Sequence, residues 1–124
     1  NKQLNERLKM SKKTEISYAL RNFIENAIKF SKTRINIEIN QQKKITILTI
    51  DDDGAGFDEN IISSLGQPYV SSEKVGENKQ GMGLGIFISK NLLERCSAKV
   101  KFTNKDKAGA MVTIEWTNSQ LANL

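Results

Sequence analysis

The chain contains no histidine. That removes Ser-His-Asp catalysis, imidazole-based zinc sites and any imidazole general base from within it. It contains a single cysteine, Cys96. An internal disulfide is therefore excluded, and the cytosol is the natural compartment. Cys96 falls near the end of an expected helix, where a small packing residue fits better than a reactive thiol. No apolar run is long enough to cross a membrane, and no signal-peptide pattern is present. Internal repeats and low-complexity segments are missing too.

What is there is a polar, charged chain of 124 residues, 38% hydrophobic and 27% charged, enough for one domain with a real core. It begins with Asn1, not Met, so a fragment of a longer protein or a processed chain is expected. The net charge of +5 suits a polyanionic partner. The cations are dispersed, however, with small clusters at Lys12-Lys13, Lys43-Lys44 and Lys99 to Lys107. No basic run is interleaved with aromatics, and each cluster reads as solvated surface.

Residues 1–13 read as a Lys-rich connector with room for an edge strand around Glu6–Met10. A helix is expected from Thr14 or Ser11 to about Ser31. Arg34–Asn40 alternates apolar and polar residues, which reads as a half-buried strand, and Lys44–Ile50 is a second strand rich in Ile and Thr. Separated by the polar turn 41–44, they form an expected antiparallel hairpin. Three carboxylates, Asp51 to Asp53, should then force the chain out of the sheet. A short helix from Asp58, pinned by Ile61, Ile62 and Leu65, is broken by Gly66-Gln67-Pro68. Tyr69–Gln80 has no periodicity and reads as a mobile loop. A helix over Met82–Arg95, strands at Lys99–Asn104 and Met111–Thr117 joined by the turn Lys105–Gly109, and a tail over 118–124 complete the chain. Helix, hairpin, two helices and a second hairpin predict a two-layer α/β (α+β) sandwich. Its sheet is mixed and mainly antiparallel, with about three helices on one face.

Three stretches carry chemistry. In the first helix, Asn22, Asn26 and Lys29 follow i, i+4, i+7 spacing and form a polar stripe apart from the apolar sector of Ile16, Leu20, Phe23, Ala27 and Phe30. A solvated face usually carries Glu and Lys, which are better helix formers than Asn. Carboxamide oxygens can complete the shell of a hydrated Mg²⁺ while the Lys reaches a phosphate. An ordinary amphipathic helix with incidental amides is the plainer reading of this stretch alone. In the second, Asp52-Asp53-Gly54-Ala55-Gly56, a carboxylate can accept a hydrogen bond from an exocyclic amine such as adenine N6, and the glycines admit a ring close to the backbone. A plain acidic turn is the competing reading. In the third, alternate glycines at Gly81, Gly83 and Gly85 open a helix and free backbone N–H groups for a phosphate. The spacing is neither that of a Walker A loop nor that of the dinucleotide fingerprint. A flexible linker is the alternative.

Together, Asn-x-x-x-Asn-Ala-x-Lys-Phe (22–30), Asp-x-Gly-x-Gly (52–56) and Gly-x-Gly-Leu-Gly (81–85) resemble the N, G1 and G2 boxes of the ATP-binding domain of sensor histidine kinases. Gln67-Pro68-Tyr69 looks like a variant F box, with Gln67 departing from the usual residue there. Leu65–Val70 and Gly85–Arg95 further resemble the RegB-type, redox-responsive kinases. The resemblance covers residues 14–117. It implies a Bergerat-type fold with ATP and Mg²⁺ as cofactors. By position, Asn26 would bind Mg²⁺, and Asn22 would support metal and phosphates, directly or through water. Lys29 would meet phosphate, Phe30 would pack on adenine, and Asp52 would take its amine. Gly54 and Gly56 would shape the base pocket. Gly81, Met82, Gly83, Leu84 and Gly85 would line the triphosphate under a lid at 70–80, where Lys74 and Lys79 are candidates for the γ-phosphate.

The implied reaction is γ-phosphoryl transfer to a histidine on a separate dimerising domain, which also serves a response regulator. The implied setting is the cytosolic part of a membrane-bound bacterial sensor. No nucleic-acid partner is expected, and the isolated chain should be largely monomeric. The alternatives are an anti-sigma-factor-type serine kinase of the same superfamily and a non-catalytic nucleotide- or nucleic-acid-binding module. Hydrolysis of the Hsp90, gyrase or MutL kind is disfavoured. Those enzymes carry a Glu base where this chain has Asn22, and Glu25 is one helical step away.

Overall fold

The computed structural model describes residues 2–65, 83–106 and 108–124, with residues 2–11 and 83–84 as backbone only. Its elements are α1 (Lys2–Phe30), β1 (Ile35–Gln41), β2 (Ile45–Asp52), α2 (Glu59–Leu65), α3 (Gly83–Arg95), β3 (Lys99–Asn104), β4 (Ala110–Thr117) and α4 (Asn118–Ala122). The strands form one sheet in the order β1-β2-β4-β3. Every pairing among the described residues is antiparallel, so the expected mixed sheet is corrected to a fully antiparallel one.

Alternation along β4 sets the layers; β1, expected to be half-buried from its own alternation, is instead exposed at every position but Ile35, because it is an edge strand. Ala110, Val112, Ile114 and Trp116 of β4 are buried, and the register places Ile50 opposite Val112 and Phe102 of β3 beside it. These residues join Ala19, Phe23 and Ala27 of α1, Ile61 and Leu65 of α2, and Ile86 and Leu93 of α3 in one core. The helices thus cover a single face. Phe102, on the edge strand β3, meets Phe23 edge-on at 5.7 Å and Phe57 at 5.6 Å between ring centroids. Cys96 is buried, and its carbonyl accepts the Trp116 indole N–H at 3.2 Å. Burial, and then the Glu15 carboxylate, push its thiol pKa up, in keeping with a packing role.

Three boundaries differ from the sequence reading. The expected connector and edge strand at 1–13 are instead the first turns of α1, a continuous helix of 29 residues. Lys, Gln, Glu, Arg, Leu and Met dominate that stretch, and all are good helix formers. The acidic run does not eject the chain from the sheet at Asp51. β2 runs through Asp52, with Asn36 and Met111 flanking Asp51. The strand tolerates these charges because each has partners: Lys105 Nζ lies 2.9 Å from Asp51 Oδ1, and Asp52 Oδ1 accepts from Gly54 N–H at 2.8 Å. The tail contains α4, whose N-cap Thr117 accepts from Gln120 N–H at 3.1 Å. Asn118 then pins the β1–β2 turn, donating to the carbonyls of Gln42 at 2.8 Å and Lys43 at 3.0 Å. The expected break at 66–68, loop at 69–80 and variant F box lie outside the described residues.

Candidate nucleotide site

The site forms where α1 ends, β2 ends and α3 begins. Asp53 fixes the first junction. Its carboxylate accepts backbone N–H groups from Lys32 (2.8 Å), Thr33 (3.1 Å) and Arg34 (3.2 Å), together with the Thr33 hydroxyl. The Thr33 hydroxyl and amide are the main causes that hold its carboxyl well below the usual carboxylate range. Gly54 allows the two segments to meet: a Cβ there would lie 2.0 Å from the Phe30 carbonyl oxygen. No larger residue fits without moving the last turn of α1.

Between these elements lies a recess, part of it open to solvent. Phe23, Ala27, Phe30, Ile50, Phe57, Ile86 and Val112 give it apolar walls, and Asn26 and Asp52 are its side-chain polar groups. Asp52 is only 6% exposed. Its Oδ1 accepts from Gly54 N–H at 2.8 Å and Ala110 N–H at 3.4 Å, whereas Oδ2 takes no hydrogen bond among the described residues. A buried carboxylate with one oxygen anchored and the other free is an acceptor waiting for a donor.

On the other side, Asn26 Nδ2 donates to Asn22 Oδ1 at 3.2 Å, which leaves the Asn26 carboxamide oxygen without a partner among the described residues. Gly85, in the first turn of α3, packs on Asn22: a Cβ there would lie 3.1 Å from Asn22 Nδ2. Of the expected site residues, Asn26, Phe30, Asp52 and Gly56 line one recess, with Ile86 of α3 beside them, whereas Asn22, Lys29, Gly54 and Gly85 are not among its lining residues. Gly83 and Leu84 are the first residues of α3, while Gly81 and Met82 lie outside the described residues, as do Lys74 and Lys79. Gly56, with φ +90°, lines the recess. Lys29 is exposed at its rim, with Nζ 5.4 Å from the centroid of the Phe30 ring.

Several lining residues escaped the sequence reading: Phe23, Ile50, Phe57, Ile86, Ala110 and Val112. Phe57 had a local signal, since it directly follows the glycine bend. The others lie at ordinary core positions, and only the tertiary arrangement turns them toward the recess.

An antiparallel sheet covered on one face by helices carries, at one end, an apolar recess lined by the Asp52 carboxylate and the Asn26 amide, an arrangement suited to a nucleotide base. The family profile described as "Histidine kinase-, DNA gyrase B-, and HSP90-like ATPase" matches residues 11–120, and the chain belongs to this family. It is 32% identical to the sensor histidine kinase RegB of Cereibacter sphaeroides across 89% of this chain and 28% of RegB. It is 33% identical to the sensor histidine kinase CssS of Bacillus subtilis across 77% of this chain and 20% of that protein. The chain thus spans under a third of either relative. Among solved structures it is similar to the mycobacterial sensor histidine kinase MprB, with a TM-score of 0.66 and 21% identity over 84% of this chain and 70% of that one. It is also similar to full-length ShkA in complex with AMPPNP, with a TM-score of 0.61 and 20% identity over 82% of this chain and 21% of that one. These two likenesses show the histidine kinase catalytic-domain fold.

Proposed function

We propose that this chain is the ATP-binding catalytic domain of a two-component sensor histidine kinase. It holds ATP with magnesium and presents the γ-phosphoryl group to a histidine on a separate dimerisation domain. The observation that carries this reading is the free Oδ2 of Asp52 in an apolar recess shared with Asn26. Adenine N6 donates to Oδ2. The base is held between Phe30 and the Gly56–Phe57 wall, and the triphosphate runs toward Asn26 and the start of α3. The unpartnered Asn26 oxygen fits the preference of magnesium, or of a water in its shell, for neutral and anionic oxygens. When bound, magnesium would neutralise charge on the transferring phosphoryl group. Asn22 orients Asn26, the α3 N-terminus faces phosphate, and Lys29 supplies a cation at the rim.

In the reaction, the bond from the γ-phosphorus to the bridging oxygen of ADP breaks, and the oxygen leaves with ADP. A bond forms to the unprotonated imidazole nitrogen through its lone pair, and the ring's other nitrogen gives up its proton to a base or water on the acceptor's side. The chain's part is positioning and charge stabilisation. With no histidine of its own, it requires the acceptor in trans or elsewhere in a longer protein. Response-regulator signalling runs through that acceptor domain, and a bacterial sensor anchored in a membrane is the parent we infer. Glu25 is exposed and is not among the residues lining the recess, which supports transfer over hydrolysis.

The test is a titration with a fluorescent ATP analogue, with and without Mg²⁺, on the wild type and Asn26→Ala. Mg²⁺-dependent binding that weakens in the variant is expected; equal binding in all four arms would remove the reading. Labelled ATP should then yield phosphohistidine only when a histidine-bearing helical hairpin is added. Label appearing instead on a serine-bearing antagonist would point to the serine kinases of the superfamily.

A further inference from the structure

The Phe57 wall of the recess is held by a residue that is not among those lining it. Asn104 ends β3, and its carboxamide leaves the ladder to pair with the backbone of Phe57. Phe57 N–H donates to Asn104 Oδ1 at 2.7 Å, and Asn104 Nδ2 donates to the Phe57 carbonyl at 3.0 Å. One side chain thereby supplies both halves of the bond that a neighbouring strand would give. Gly56 lies directly against it: with φ +90°, a Cβ there would sit 2.7 Å from Asn104 Oδ1. Two residues back along β3, Phe102 meets the Phe57 ring. Across the turn from Asn104, which pairs with Ala110, Gly109 presses on the Asp52 backbone, where a Cβ would be 1.8 Å from its carbonyl oxygen. Ala110 N–H then points at Asp52 Oδ1 at 3.4 Å. The turn end of the β3–β4 hairpin thus touches both the Gly56–Phe57 segment and Asp52.

We propose that Asn104 is a positioning residue that sets the site's discrimination between purine bases. This rests on the nucleotide reading above and deepens it. Adenine gives Asp52 Oδ2 a donor at its 6-position, whereas guanine gives it an acceptor. The discrimination works only if the base cannot slide, and the Gly56–Phe57 wall prevents sliding only while its backbone is tied down. A loosened wall lets the base shift off the carboxylate. Adenine then loses its bond, while guanine, which never had it, loses little.

The experiment measures ATP and GTP affinity by calorimetry or competition, with magnesium, for the wild type, Asn104→Ala, Asn104→Asp and Leu121→Ala. Asn104→Asp keeps the acceptor for Phe57 N–H but sets a carboxylate oxygen against the Phe57 carbonyl. It provides a second route to the same loosening should the alanine variant fold poorly. Leu121, packed at the C-terminal edge of the core, is the control for plain destabilisation. Both Asn104 variants are expected to bind ATP about tenfold more weakly, the scale of one or two lost hydrogen bonds. GTP should change by less than about twofold on the same reasoning, so the ATP-to-GTP ratio falls, while Leu121→Ala lowers the melting temperature and leaves the ratio alone. An unchanged ratio in both Asn104 variants, with the wild type binding ATP, overturns the proposal. A wild type that binds no ATP overturns the nucleotide reading beneath it.

Discussion

Gly85→Ala separates stability from binding, because the two should move in opposite directions. Gly85 is in the first turn of α3, where alanine is favoured over glycine by about 1 kcal/mol of helix propensity. The added Cβ would meet Asn22 Nδ2 at 3.1 Å and Oδ1 at 3.3 Å. Those distances are a few tenths of an ångström tighter than ordinary contact, so the Asn22 side chain must turn or retreat. It is half-buried and, among the described residues, tethered only by the 3.2 Å bond from Asn26, and that bond stretches past useful length. One such bond is worth about 1 kcal/mol, or roughly fivefold in an equilibrium constant. The expected result is a melting temperature equal to or a few degrees above wild type for a domain of this size. The affinity for ATP with magnesium should weaken about fivefold, set by the loss of the tether that orients Asn26. Differential scanning fluorimetry and calorimetric titration on the same preparation read both quantities. If affinity holds while stability rises, Asn22 does not orient Asn26 for the ligand, and the link between the glycine helix and the amide pair is wrong.

Other perturbations probe the scaffold. Gly54→Ala drives a Cβ into the Phe30 carbonyl and should cost about 1–3 kcal/mol or more, read by urea denaturation; a midpoint equal to wild type refutes the close approach. Asp53 has a depressed folded-state pKa, so its contribution to stability is complete above the ordinary carboxylate range and is lost as pH falls through the folded value. The stability gap between wild type and Asp53→Asn should therefore be full at neutral pH and narrow below about pH 4, whereas a constant gap from pH 7 to 2 counts against the three-amide lock. Ser97 follows α3 with φ 73°, a left-handed position that glycine takes without strain. Ser97→Gly should stabilise by about 0.5–1 kcal/mol, and destabilisation would show the cap to be misread. Ser89 is fully buried with its hydroxyl unpaired among the described residues, so Ser89→Ala should be neutral or stabilising in the same denaturation assay.

The hairpins and the binding stretches were legible in the sequence because each is a local signal. Alternation marks β1, spacing marks the Asn22–Asn26 pair, and glycines mark the bend after Asp52. Lys99–Asn104 matches β3 at both ends. What was not legible depends on partners distant in the chain. Asp51 stays in the sheet because Lys105 reaches it from the β3–β4 turn. Asn104 reads as a strand-end polar residue until Phe57 is brought beside it. The early start of α1 was hidden by weak apolar periodicity before Thr14, although propensity favoured it. The short α4 had a readable sign in Thr117-x-x-Gln120, a capping-box spacing.

The lone tryptophan gives the domain a built-in optical probe. Trp116 is buried, and its indole is tethered to Cys96, one residue past the end of α3, while Gly85 lies in that helix's first turn, beside Asn22. Trp116 is also not among the residues lining the recess. Its emission therefore follows the seating of α3 and not the stacking of a ligand ring. A spectral shift on adding nucleotide would mean that occupancy is felt along the whole length of that helix.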